Sequence, residues 1–169
     1  MTYLLIAFVL AIILSPLMWF RQSPRQKLIT DMRKVAREKN LWVKLSKPAD
    51  AREGEGRLEY VTYTLTWVPD SNPSMEPRME KWLLIKDALL QGTLRGDPSP
   101  WENWQWLGRE SNESLNTSIG LALEQLPKSI TALEACSEGV RIYWQERGEL
   151  HDVQVIFDQL SKLREVMRN

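Results

Sequence analysis

The chain has 169 residues, no net formal charge, 43% apolar and 26% charged residues, one histidine and one cysteine. Those proportions are globular and exclude wholesale disorder, and a lone Cys136 excludes an internal disulfide. The zero charge hides an asymmetry: Arg21 to Lys47 carries nine Lys or Arg against two acids, and the remainder carries 13 against 20. A nucleic-acid binder has a basic surplus over its whole domain, which this chain lacks, so no nucleic-acid partner is expected.

Tyr3 to Phe20 (YLLIAFVLAIILSPLMWF) holds no charged residue. As a helix it spans roughly 27 Å, close to the hydrocarbon thickness of a bilayer. It lacks the polar stripe of a buried core helix, and Trp19 and Phe20 fall at headgroup level. A cleaved signal peptide fits less well. Only Met1 and Thr2 precede the apolar run, no basic n-region is present, and Met-Trp-Phe-Arg ends the run where small residues are wanted. Residues 1–20 are therefore read as a single-pass transmembrane anchor. No Lys or Arg precedes it, whereas Arg21, Arg25 and Lys27 follow at once, which by the positive-inside rule leaves the C-terminal domain in the cytoplasm beside a cell inner membrane. Each cation near an anionic leaflet adds about 1 kcal/mol of attraction. Arg21, Arg25, Lys27, Arg33 and Lys34 are accordingly the expected contacts with the lipid bilayer.

Residues 21–40 form a basic juxtamembrane helix. Ser23-Pro24-Arg25-Gln26 combines an N-cap serine, a first-turn proline and a capping-box glutamine. Leu28, Ile29, Met32, Val35 and Ala36 recur at helical spacing, so a helix is predicted over 24–39, stopping at Asn40 and nearly continuous with the anchor. Residues 41–169 form the soluble domain. Leu41 to Ser46 alternates as a strand, Lys47 to Arg57 is a charged loop, and Leu58 to Val68 (LEYVTYTLTWV) is the clearest strand in the chain. Pro69 to Pro77 is a proline-rich loop, and Trp82 to Lys86 is a compact apolar strand. Asp87 to Pro100 returns to loop, and Trp101 to Leu107 (WENWQWL) is expected as a further strand.

Ser111 or Asn112 caps a helix running to Leu126, with Leu115, Ile119, Ala122 and Leu123 inward. Ile130 to Cys136 and Val140 to Arg147 read as a hairpin closed at Ser137-Glu138-Gly139, although the first arm is also a good helix sequence. A final helix over 150–167 carries Val153, Ile156, Leu160, Leu163 and Met167 on one stripe, used on the domain's own sheet or, less simply, as a coiled-coil seam. Helix–strand–strand thus occurs at 24–68 and again at 112–147. The fold class is α+β: an N-terminal transmembrane helix, then a small, mostly antiparallel sheet with about three helices packed on it.

Catalytic constellations are scarce. One His151 and one Cys136 do not make a transition-metal site, and Glu149, His151 and Asp152 read as a helix start whose acids suit the dipole. Gly54-Glu55-Gly56 lacks the third glycine and the helix of a nucleotide-binding motif. No catalytic residue, cofactor or metal is expected, and the protein is read as non-enzymatic; an enzyme using Glu134 and Glu146 is the weakest alternative.

Seven of the eight tryptophans lie beyond the anchor. A core or cross-strand role is the plain reading. On one strand, however, Trp104 and Trp106 point one way and Trp101 the other, which leaves at least one of them exposed beside Pro98 and Pro100 as an anchor for a protein partner. The expected function is a membrane-anchored accessory or scaffold protein presenting a Trp-rich cytoplasmic domain to such a partner. A tethered small-ligand sensor with tryptophans lining a pocket is the alternative, and a periplasm-facing envelope subunit the second. The oligomeric state is not legible. In layout alone, the anchor and its basic junction (Arg21-Gln22-Ser23-Pro24-Arg25-Gln26-Lys27) resemble the YajC family of translocon accessory subunits; the rest of the chain does not, and no function is carried over.

Overall fold

Ser23 opens the first helix of the domain in a computed structural model of the chain, which describes residues 3, 4, 6, 8, 23–49, 58, 60–67, 81–87 and 96–168. Ser23 Oγ accepts from the Gln26 N–H (3.2 Å) and Gln26 Oε1 accepts from the Ser23 N–H (3.2 Å), with Pro24 at the first helical position. The capping box read from the sequence is thus formed, and it starts α1 (Pro24–Glu38) afresh. Ser23 itself is extended (φ −62°, ψ 150°), so α1 is not run on from the segment before it. Asn40, left-handed at φ 58°, turns the chain into the sheet.

The other elements are β1 (Leu41–Ser46), β2 (Tyr60–Thr66), β3 (Trp82–Lys86), β4 (Asp97–Pro98), β5 (Trp104–Trp106), α2 (Glu113–Gln125), β6 (Ile130–Ala135), β7 (Gly139–Trp144) and α3 (Leu150–Arg168). Among the described residues the sheet has seven strands in the order β1-β2-β7-β6-β3-β5-β4, and every neighbouring pair is antiparallel. Two helix–strand–strand units, α1-β1-β2 and α2-β6-β7, lie on either side of the β2/β7 seam, where Tyr63 pairs with Ile142. At the start of β7 a Cβ on Gly139 would run into the Leu65 carbonyl of β2, so only glycine permits this approach.

Alternation puts Leu41, Tyr63, Leu65, Ile142, Trp144, Leu133, Leu84 and Trp106 on one face, buried under the helices. Met32 and Ala36 of α1, Leu115, Ile119 and Ala122 of α2, and Val153, Ile156, Leu160 and Leu163 of α3 complete this core. Each of the larger side chains here, the alanines apart, contributes about 1.5–3 kcal/mol relative to exposure. The stripe on α3 is therefore used on its own sheet, between α1 and α2, and not as a free seam. The opposite face has a smaller buried cluster of Tyr60, Ile85, Ala132 and Tyr143.

Several expected elements change length. The second hairpin arm stops at Trp144 instead of Arg147, because Glu146 turns left-handed (φ 53°) to bury its side chain. The strand expected over 101–107 shrinks to Trp104–Trp106. Asn103 is left-handed (φ 64°), and the Ser99 hydroxyl holds 101–104 as a turn by donating to the Trp104 carbonyl (2.6 Å) and accepting from the Trp101 N–H (3.3 Å). Asp97-Pro98, expected as loop, forms the outermost strand, where proline's missing N–H costs nothing. No helix among the described residues is long and apolar enough to cross a membrane. The anchor stretch lies outside the described residues except for Tyr3, Leu4, Ile6 and Phe8, which are helical and exposed.

Candidate functional site

The most highly organised polar site joins α1 to the connection between β7 and α3. Arg33 Nε donates to Glu146 Oε1 (2.8 Å) and Arg33 Nη2 to Glu146 Oε2 (2.6 Å), a two-pronged pair that suits the planar guanidinium. Tyr63 of β2 donates its hydroxyl to the same Oε1 (2.9 Å). Eight residues before Arg33, Arg25 donates to the carbonyls of Glu146 and Gly148, the latter at 3.1 Å. Glu146 is only 3% exposed, so these partners stand in for the water its carboxylate lacks. The Tyr63 phenol is pushed well above its usual range, first by burial and then by the adjacent Glu146 charge and hydrogen bond. The hydrogen bond to Glu146 raises the Arg33 guanidinium, against the opposing effect of burial. The arrangement is a clamp that holds α1 against the domain.

A second cluster lies on the other face of the sheet. Arg141 Nε and the Tyr143 hydroxyl both donate to Glu134 Oε2, at 2.7 and 2.8 Å. Burial lifts the Tyr143 phenol above its usual range, followed by the Glu134 charge, while Arg141 is raised through Glu134 despite its own burial. Glu134 and Glu146 therefore sit on opposite faces of one sheet, each engaged by an arginine and a tyrosine. They do not face each other across a cleft, as paired acid–base work requires.

The residues expected at the membrane surface divide. Arg25 and Arg33 are spent on the domain, Lys27 and Lys34 are exposed on α1, and Arg21 lies outside the described residues. The expected tryptophan anchor is distributed differently again. Trp106 is buried and meets Trp82 and Trp101 edge to face, at centroid distances of 5.9 and 5.6 Å. Because 101–103 is a turn, Trp101 joins the face of Trp106 instead of the opposite one and covers Gly120 of α2. Trp104 is half-buried, with Lys86 Nζ 5.3 Å from its ring centroid. Among the described residues the tryptophan presented to solvent is Trp42 of β1, 60% exposed, with Leu45 of the same strand at 53%. Neither was singled out from the sequence, where the alternation of β1 gave no sign that it lies at the sheet's edge.

His151 is exposed, and Asp152 Oδ2 accepts from the Glu149 N–H (2.8 Å), so this acidic turn caps α3. Cys136 is half-buried. Among the described residues no group of three His, Cys, Asp or Glu could hold a metal ion. Fold and site together define an α+β domain with one antiparallel sheet, helices on one face and a charged clamp at the root of its first helix. No family model matches the chain, and no curated protein or solved structure matches it.

Proposed function

We propose that this protein is a membrane-anchored accessory protein without catalytic activity, whose domain stands at the cytoplasmic surface of a cell inner membrane and meets a protein partner there. The observation that carries the reading is the uncharged stretch Tyr3 to Phe20, followed at once by cations and by a helix clamped to the sheet. The exposure of Tyr3, Leu4, Ile6 and Phe8 on helical backbone supports it, since large apolar side chains without protein cover are those that lipid covers. The clamp adds a mechanical consequence. With α1 fixed to the domain at Arg25 and Arg33, its outward face is fixed too, and that face leaves Lys27 and Lys34 exposed for an anionic leaflet. The engagement of Glu134 and Glu146 by arginine and tyrosine donors supports a scaffold over an acid–base catalyst.

Reporter fusions after Asn169 test the orientation. A reporter active only in the cytoplasm is expected to work, and one active only outside it to stay silent. The reverse pattern would move the domain to the other side of the membrane and end this reading.

A further inference from the structure

We infer that the outer edge of β1, which no described strand covers, is a docking site for an extended, alternately acidic and apolar segment of a partner protein, which adds a strand to the sheet. The inference deepens the accessory-protein reading and rests on it for the existence of a partner. β1 is six residues long and ends the sheet order, so among the described residues no strand covers its outer side. The Thr62 hydroxyl donates to the Lys44 carbonyl (3.2 Å), which places that carbonyl on the β2 side. By the alternation of an antiparallel ladder, the N–H and C=O groups of Val43 and Leu45 point outward. Edges of this kind are ordinarily blunted, and one left open recruits a strand.

The side chains along this edge specify what fits. A strand laid beside β1 meets Val43 and Leu45 on the helix side and Trp42 and Lys44 on the other. Leu45 and Trp42 are exposed, so apolar residues gain by covering Leu45, and a carboxylate gains beside Lys44 with Lys47 just beyond. A second copy of the chain is the obvious rival, because Leu41-Trp42-Val43-Lys44-Leu45 could pair with itself about Val43. Sterics oppose it. α1 packs over β1, so a second copy would bring its own α1 over the neighbouring strand. Adjacent strands lie about 4.8 Å apart, whereas packed helices need about 8–10 Å between axes. Moving α1 aside would break the Arg33–Glu146 pair. A lone strand carries no helix and meets no such obstacle.

The test is backbone amide exchange in the full chain reconstituted in anionic nanodiscs, alone and with a short synthetic peptide alternating glutamate and valine or one alternating lysine and valine. The Glu/Val peptide is expected to slow exchange at the Val43 and Leu45 amides by about tenfold, leaving Trp42 and Lys44, already in the β1–β2 ladder, little changed. The Lys/Val peptide is expected to do nothing. Lys44→Glu should reverse the preference, and Val43→Pro, which removes an outward donor without touching the ladder to β2, should abolish the slowing. Equal slowing by both peptides, or none by either, would overturn the inference. So would a dimer joined through Val43, detected by crosslinking a Val43→Cys variant. Topology does not enter this measurement, so its failure is separable from failure of the reporter test.

Discussion

Replacing Arg33 with methionine removes both nitrogen donors from Glu146 and leaves a carboxylate that is 3% exposed with only the Tyr63 hydroxyl. Breaking one side of a buried ion pair costs about 3–5 kcal/mol, but the Arg33 side chain is 34% exposed, so water can approach the vacated side and about 2–4 kcal/mol is expected. Glu146→Leu strands the Tyr63 hydroxyl instead, at about 1–3 kcal/mol, while Arg33 can turn toward solvent. The double variant Arg33→Met/Glu146→Leu should cost less than the two singles together by about 1–3 kcal/mol, because no uncompensated charge remains. Urea unfolding of the full chain in detergent micelles, followed by tryptophan fluorescence, measures all three. Trp144 is a suitable reporter, since it packs edge to face on Tyr63 at 5.4 Å. A single Arg33→Met cost below about 1 kcal/mol, with strictly additive behaviour in the double variant, would show that the clamp does not hold α1 and refute the reasoning.

Tyr63→Phe is expected to lose about 1.5–3 kcal/mol at neutral pH, the value of a buried hydrogen bond to a carboxylate. It also changes the alkaline behaviour. Because the folded Tyr63 phenol titrates above the ordinary value of about 10, its contribution is complete below that pH and is lost as pH rises through the folded value. The native chain should therefore weaken above about pH 10, and the variant should show less of that slope in urea midpoints measured on either side of it. Tryptophan substitutions sort by what the indole N–H meets: Trp67 Nε1 donates to the Cys136 carbonyl (2.8 Å), whereas the buried Trp82 Nε1 has no partner among the described residues. Trp67→Phe should thus lose about 1 kcal/mol more than Trp82→Phe beyond the shared loss of ring area, and equal costs by thermal unfolding would contradict this.

Local chemistry was the legible part of this fold. Ser23-Pro24-Arg25-Gln26 specified its capping box within four residues, and the spacing of Val153, Ile156, Leu160 and Leu163 marked the buried side of α3. Alternation marks β1, aromatic and β-branched composition marks β2, and a compact apolar run marks β3, whereas the first arm of the β6–β7 hairpin reads equally as a helix until the structure shows it as a strand. Long-range choices were not legible. Nothing local says that β7 lies between β2 and β6, or that β1 is left at an edge. Glu146 could be named beside Glu134 as a candidate acid but its clamp role could not be read, because its partners lie 113 residues upstream in α1 and 83 residues upstream in β2. The left-handed turn at Glu146 carried no glycine or asparagine to announce it. Trp101 was assigned to the wrong face for a related reason: a period of two holds only within a strand, and Asn103 and Ser99 end the strand before reaching it.

Alkaline carbonate extraction of cell membranes bears most directly on the tether. The full chain is expected to stay in the membrane pellet with its first residues intact, and a variant beginning at Ser23 to be released into the supernatant. Recovery of the full-length product in the supernatant, or a mature chain whose amino terminus lies beyond Phe20, would contradict the anchor and with it the placement of the domain.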